Sequence, residues 1–594
     1  MDQLDSKSVV RPLLSRQNYF QIRNLTILSL FLATAALGEA QGSAINSNPG
    51  TPWPATDGLG RVLPGAQETG ASRSNRCVGI FYFLTHELTG PDLPNDLSRI
   101  LPQDSDILKK PNSPLWGTGE YYWGEPLYGY YNSKDPWVLR RHARLLSAAG
   151  VDTVIFDTTN RRTYRDVYME LCKIWTEIRR GGGRTPQICF MVNTEAGATA
   201  QEIYQDLYQP GLYKELWFLW QGKPLLICDP AEASPEVAKF FTLRKAHWPF
   251  ELVNTHNEWH WESTFPQVYS YDVDSGGPEE VNVAVAQNLR AVDGKVTDMS
   301  EGNARGRSFH DGKQNIAPGS VNYGYNFAEQ WRRALQLDPP FVMVTGWNEW
   351  TAGKYSRPGL PVVFVDQFDE EFSRDIEPVT GLHNDNYYYE LVANVRRYKG
   401  TLATPAASAP LTINVAGEFR QWRDVAPAYA DDAPDSEPRD FGRGALHYQN
   451  SSGRNEFTLM KVARDEANLY FYARTVLPLT PATDTNWMWL LIDADQNPHT
   501  GWAGYDYIVN RQADAEGKFW LEKNVGGWNW EKVTPVTWRA VGNALQLAIP
   551  RQALGLKSGE TKTAIDFKWA DNLQHPGDVM DFYLGGDVAP EGRI

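Results

Sequence analysis

The chain has 594 residues, 42% of them hydrophobic, and a formal charge of -15, which is length enough for two folded units with connecting segments. An acidic surface gains nothing from a polyanion, so nucleic acid and anionic membrane surfaces are excluded as partners while neutral substrates stay open. The unusual counts are 22 Trp and 28 Tyr, whose flat apolar faces and polar edges suit burial and sugar stacking equally.

Arg11, Arg16 and Arg23 precede an uncharged apolar run from Leu25 to Leu37, and Gly38, Glu39 and Ala40 then offer small residues for cleavage before Gln41. Residues 1–40 therefore read as a signal peptide, and the mature protein as secreted or periplasmic. That run is too short for a span, and no other segment approaches the roughly 20 apolar residues a crossing helix needs. Residues 41–75, rich in Gly, Ser, Asn, Pro and Thr, read as a linker or surface arm. Cys77, Cys172, Cys189 and Cys228 lack metal-site spacing and read as small core residues, with one disulfide open to an exported protein.

From Cys77 the pattern becomes periodic. Cys77 to Leu84 is a strand, followed by a long aromatic loop with Trp116, Tyr121, Tyr122, Trp123 and Tyr130. Ser133 or Asp135 caps a helix with Pro136 in its first turn. The run VDTVIFD delivers Asp157 to a strand end, and Tyr164 to Arg180 is helical. QICFMVN then delivers Asn193 and Glu195, and KPLLICD delivers Asp229. A helix near Pro235 to Lys245 leads to a fifth strand ending near Val253, with THNEWHWE as its loop. Pro266 to Ser270 and Val281 to Ala286 supply strands six and seven. A helix from Phe327 to Leu337, the strand FVMVT from Phe341 and a last helix from Asn386 to Tyr398 complete the series. Eight alternations over residues 76–400 predict an α/β fold, a (β/α)8 TIM-type barrel distorted in its fifth to seventh repeats. Residues 401–410 are a linker by composition. Residues 411–594 hold short alternating segments separated by turns, an antiparallel β-sandwich of carbohydrate-binding type.

In such a barrel the strand C-terminal ends carry chemistry. Glycosidic bond cleavage needs two carboxyls about the anomeric carbon, and Asp157, Glu195, Asp229, Glu258, Glu262 and Glu349 all fall at those ends, with His86, His256, His260 and His310 as neighbours. Asp157 serves equally as a helix cap and Asp229 as a turn starter. Glu349 in GWNEW, flanked by Trp347, Asn348 and Trp350, is the strongest candidate, because apolar walls tune a carboxyl pKa and a solvated acid does not need them. The expected catalytic set is Glu349 with Asp157, Glu195 or Glu258. The expected substrate contacts are His86, Tyr130, Asn193, His256, Arg307, His310, Trp347, Asn348 and Trp350. Arg305 and Arg307 read either as grips for acidic sugars or as partners of the acidic rim.

The segment GYYNSKDPWVLRRHARLLSAAGVDTVIF and the motif GWNEW resemble glycoside hydrolase family 99 over residues 76–400. The resemblance implies a barrel acting on α-mannosides through a glutamate pair, the second member three residues after the first. Glu349 matches the first, implicated in assisted attack by the sugar's own 2-hydroxyl. Position 352 is Ala, so the family's general acid is absent; Asp375 and Glu377 in DQFDEEFSRDIEP are further replacements if that segment folds back. LIDADQNPHTGWAGYDYIVNR resembles the family 9 carbohydrate-binding modules, and its Asp493, Asp495 and Asn497 offer alternating oxygens for calcium in a loop that is no EF-hand. No cofactor is required. The expectation is a hydrolase of an α-linked polysaccharide or glycan, or else a glycan-binding protein whose barrel has lost its chemistry.

Overall fold

The computed structural model describes residues 47–87, 91–251, 257–272, 274–431, 436–512, 514, 516–557 and 563–593. The expected signal peptide, residues 41–46 of the arm, Val253 and His256 lie outside them.

Eight parallel strands form one sheet: β1 (Cys77–Tyr82), β2 (Thr153–Thr158), β3 (Gln187–Val192), β4 (Lys223–Ile227), β5 (Thr242–His247), β6 (Glu258–His260), β7 (Pro278–Ala284) and β8 (Phe341–Thr345). Each pairs with the next in chain order, except β6 with β7, and β8 returns to pair with β1, Phe341 opposite Cys77. The sheet is therefore nearly closed, with one seam between β6 and β7. There side chains stand in for the ladder: Trp259 Nε1 donates to Glu279 Oε2 at 3.0 Å, and the His260 N–H to Glu280 Oε2 at 3.0 Å.

The strands are apolar on both faces because both are covered. Val78, Ile80, Val154, Phe156, Phe190 and Val344 pack against the helices α1 (Pro136–Ala148), α2 (Arg165–Arg180), α5 (Tyr325–Leu337) and α6 (Asn386–Lys399). The alternate residues Phe81, Ile155, Met191, Ile227, Trp259 and Met343 fill the ring. Gly79 faces Phe341 so closely that a Cβ would lie 2.5 Å from its ring. The shorter helices α3 (Ala196–Ile203) and α4 (Pro235–Phe240) follow β3 and β4. Asp135 caps α1, accepting from the Trp137 N–H at 3.0 Å.

Two expected strands were misplaced. The helix after β4 ends at Phe240, and β5 occupies the stretch assigned to its continuation. β5 lacks an apolar run because it buries Arg244, which ion-pairs with Glu279 at 2.5 Å. β6 lies inside THNEWHWE, taken as a loop, because its ring-facing residue is Trp259 between Glu258 and His260. The residues expected as strand six contribute only the antiparallel strip Ser270–Tyr271 along β7.

The C-terminal part holds two antiparallel sheets on a shared apolar core. One comprises Tyr429–Ala430, Phe457–Arg464, Asn468–Thr475, Ala544–Pro550 and Thr537–Val541, and the other Asn529–Pro535, Trp520–Gly526, Tyr507–Val509, Trp489–Asp493, Asp566–Asp571 and Asp587–Ala589. It packs on the parallel sheet's helices through buried ion pairs, Arg439 with Asp135 at 2.7 Å and Arg593 with Asp385 at 2.6 Å. Residues 47–53 lie against the same body, Lys399 donating to the Asn48 carbonyl at 2.6 Å. All four cysteines are free and buried, so the disulfide option is not taken. No helix among the described residues is long and apolar enough to cross a membrane.

Candidate active site

Beyond Thr345 the chain turns out of β8 and is pinned on both sides. The Trp347 N–H donates to the Phe81 carbonyl at 2.8 Å, and Asn348 Oδ1 accepts from the Phe83 N–H at 2.9 Å while its Nδ2 donates to Tyr131 Oη at 3.2 Å. Trp347 and Trp350 are fully buried. Trp350 stacks on Trp123, centroids 4.8 Å apart, and donates to Glu377 Oε2 at 2.6 Å. Asn348, Trp347 and Trp350, expected as substrate contacts, are thus anchors beneath the surface, occupied by the protein's own groups. Glu349 alone projects, 13% exposed.

The acidic segment does fold back over this end, but it delivers a cation and an amide. Arg374 Nη2 donates to Glu349 Oε2 at 2.8 Å and Gln367 Nε2 donates to the same oxygen at 2.7 Å. Asp375 accepts the Glu349 N–H and Trp123 Nε1; burial raises it to about 7. Glu377 is fully buried, accepting from Trp350 Nε1, from Tyr131 Oη at 2.8 Å and pairing with His142 Nε2 at 2.8 Å. Neither supplies a replacement acid; both hold the motif's backbone and tryptophans from inside.

A second buried carboxyl lies near Arg374, in the segment just after β6. Glu262 is fully buried, its Oε1 lying 4.0 Å from Arg374 Nη1. None of its oxygens accepts a hydrogen bond from a side chain among the described residues. The two acids thus straddle one guanidinium, which is itself 1% exposed and lies 4.8 Å over the Trp261 ring. Burial pushes both carboxyls up to about 8, Arg374 opposing and the half-exposed Asp366 adding repulsion. Only Glu349 accepts hydrogen bonds from Arg374 and Gln367, so of two equally raised acids it is the one whose ionised form is better held. From the contacts to Arg374 the nearest carboxyl oxygens are no more than about 9 Å apart, within the outer limit of ~9.5 Å for acid pairs flanking a glycosidic bond.

The other expected residues divide. Asp157 is buried at the end of β2, with Thr159 Oγ1 donating to it at 2.7 Å; burial and Asp366 raise its pKa, which places it in the same field. Asn193 accepts from Trp248 Nε1 at 2.9 Å, and Trp248 packs 5.1 Å from Trp261, continuing the rim. Glu195 does not converge: it is 68% exposed and pairs with Arg161 at 3.1 Å. Glu258 begins β6, four residues and about 13 Å of extended chain below Glu262. Arg307 is buried, donating to the Asp375 carbonyl at 2.8 Å and Ser373 Oγ at 3.1 Å, so it braces the folded-back segment rather than gripping a substrate. His310 faces the Ser308 carbonyl and Tyr325, and Tyr130 donates to Asp96 at 2.7 Å. His86 is buried, its pKa lowered to about 3 by burial, and is held neutral beside Ser133.

Sequence reasoning passed over Glu262 in favour of Glu258, and missed Arg374 and Gln367. The signal for Arg374 was there: it is the lone cation in DQFDEEFSRDIEP. In the sandwich, Asp493, Asp495 and Asp506 bring carboxylate oxygens within 4.8 Å of one another and could hold a cation. Asn497 instead accepts from the His499 N–H, and Asp506, unforeseen, takes its place. Burial, with Asp566 and Asp506 nearby, raises Asp493 to about 6.

No family model matches the chain. No curated protein matches it either. Among solved structures, an endo-α-mannosidase of glycoside hydrolase family 99 from Bacteroides thetaiotaomicron aligns at 13% identity over 54% of this chain and 96% of its own, TM-score 0.31. A glycoside hydrolase-like protein aligns at 12% identity over 57% and 96%, TM-score 0.32. The α-fucosidase of Thermotoga maritima aligns at 11% identity over 87% and 99%, TM-score 0.22.

Proposed function

We propose that this protein is an exported glycoside hydrolase, built on a (β/α)8 barrel and acting on an α-linked polysaccharide or glycan. The observation that carries the reading is the pair of buried carboxyls, Glu262 and Glu349, set on either side of the Arg374 guanidinium at the strand C-terminal ends. Glu262, kept protonated at neutral pH, gives its proton to the leaving glycosidic oxygen. Glu349, in the ionised form that Arg374 and Gln367 hydrogen-bond, takes a proton from the water that attacks the anomeric carbon. The positive charge developing on the sugar ring is offset by the Glu349 carboxylate, and Arg374 restrains both acids in register. Trp248, packed on the buried Trp261, offers a ring for stacking, and Asn193 a polar edge. Asp493, Asp495 and Asp506 belong to the reading as a calcium site of the sandwich, tested by a calcium-dependent rise in melting temperature that Asp506→Asn removes.

The test of the enzyme is release of reducing ends from a panel of plant, algal and yeast polysaccharides, followed by Glu349→Gln and Glu262→Gln on whichever is cleaved. Each substitution should abolish turnover while binding to that substrate persists. Wild-type rates in either would remove the assignment. One observation favours the competing reading of a glycan binder: Ala352, at the position of the resembled family's second glutamate, is buried among Trp116, Val362 and Phe364. Retention on a polysaccharide gel without any released ends would decide for it.

A further inference from the structure

A cavity of about 550 Å³ lies where the stretch from Pro52 to Gly65 meets α6 and the sandwich. It shares no residue with the Glu349 site. Arg396, which lines it, sits in the last turn of α6, and three residues on Lys399 reaches Asp152, the residue just ahead of β2. The cavity therefore opens beside the strand N-terminal ends, opposite the acids.

Its wall combines half-buried rings with buried polar groups. Trp53 meets Tyr429 edge-on at 5.1 Å, and Tyr429 meets Phe567 at 5.2 Å. Arg396 is 4% exposed, and its hydrogen bonds go only to carbonyls, those of Pro64 at 3.3 Å and of Thr51 and Trp53 at 2.8 Å. No carboxylate pairs with it among the described residues, and its Nε has no partner there. Burial without a counter-charge lowers its pKa to about 10. Across the cavity, Asp566 accepts from Gln496 Nε2 at 3.2 Å, beside Asp493. A guanidinium with a donor to spare, carboxylates and an amide, framed by aromatic faces, form a set that neither an apolar ligand nor a simple ion satisfies. A volume of this size at a junction between folded parts is that of a ligand site.

We propose that this cavity binds a neutral oligosaccharide, its hydroxyls donating to Asp566 and accepting from Arg396, with pyranose faces against Trp53 and Tyr429. The site is separate from the proposed hydrolytic centre and would hold a chain of the same polymer or its product. Val62 lines the cavity and is 55% exposed, so Val62→Trp fills the space without removing a polar contact; Asp566→Asn removes one charged acceptor.

The experiment is calorimetric titration of Glu349→Gln protein with maltotriose, mannotriose, cellotriose, xylotriose and laminaritriose, repeated with each substitution added. At least one trisaccharide should bind, and each added substitution should weaken it by roughly tenfold or more, the size of one charged hydrogen bond. Hydrolysis by the singly substituted Val62→Trp enzyme should match wild type. Failure of all five sugars to bind, or affinity unchanged in Val62→Trp, overturns the proposal. Binding sensitive to Val62→Trp in a protein that cleaves nothing upholds the cavity and removes the hydrolase reading instead.

Discussion

Glu262→Gln should make the protein more stable, and only at neutral and alkaline pH. The carboxyl has an ordinary value of 4.5 and is raised to about 8 in the fold, chiefly by burial. Between those values the folded chain keeps a proton that the unfolded chain has released, so stability falls as pH rises through that window. At pH 7 the difference amounts to about 3 kcal/mol, from 1.36 kcal/mol for each tenfold change in proton affinity. Glutamine keeps the shape of the protonated acid and carries no such cost. With an unfolding entropy of about 2.1 cal/mol/K per residue, a unit of this size gains roughly 3 °C in melting temperature at pH 7 and nothing near pH 4.5. Scanning calorimetry of wild type and variant across that range measures it. A variant less stable than wild type at pH 7, or a difference independent of pH, would refute the assignment of Glu262 as a buried, protonated acid. Loss of turnover alongside the gain is the pattern of a residue kept for chemistry at the expense of stability.

Three further outcomes follow from the same geometry. Arg374→Met removes the cation that opposes the burial of both acids, so their pKa values rise further and the acid limb of the rate profile moves to higher pH; turnover should fall by roughly a hundredfold or more, with Arg374→Lys recovering part of it. Glu377→Gln weakens the shared acceptor of His142, Tyr131 and Trp350, which should lower stability by about 2–4 kcal/mol while the folded fraction keeps kcat within a few-fold, measured by denaturant titration beside single-substrate kinetics. Glu195→Ala, at an exposed ion pair, should change stability by less than about 0.5 kcal/mol and leave turnover unchanged; a loss of activity would return Glu195 to the catalytic set.

Strands β1 to β4, β7 and β8 are legible in the sequence because most of their residues are apolar, and two covered faces demand that. β5 and β6 are not, for a reason that lies in tertiary contact. Arg244 reads as a surface residue until Glu279, 35 positions away, neutralises it. Glu258 and His260 read as loop until Trp259 is seen filling the ring. At the site, the apolar run into GWNEW places Glu349 at a strand end, but which way its neighbours point depends on Asn348 clamping β1, a contact across 265 residues of chain. The tryptophans that looked like walls of a pocket are therefore its foundations, and the half-buried ring beside the site is Trp248, packed on Trp261. Glu258 and Glu262 could not be separated by pattern, since they share a strand parity; the position of β6 in the sheet separates them.

If the chain is the hydrolase proposed, Ala352 leaves the second acid to come from elsewhere. Its side chain packs with Ile107, Trp116, Val362 and Phe364, an apolar cluster in which burying a carboxyl would be costly. Where two acids share one loop, three residues of backbone fix their separation. Here Glu349 follows β8 and Glu262 follows β6, so the separation depends on the sheet, including the open seam beside β6, and on Arg374 reaching both. Thr345 Oγ1, donating to the Trp261 carbonyl at 2.7 Å, ties the two strand ends directly together. The ion pair of Arg244 with Glu279 and the donation from Trp259 Nε1 to Glu279 brace β6 from below. Under the proposed hydrolase reading the seam residues would have a mechanistic consequence: they would set the separation of the two acids, to which such chemistry is sensitive at the scale of one ångström.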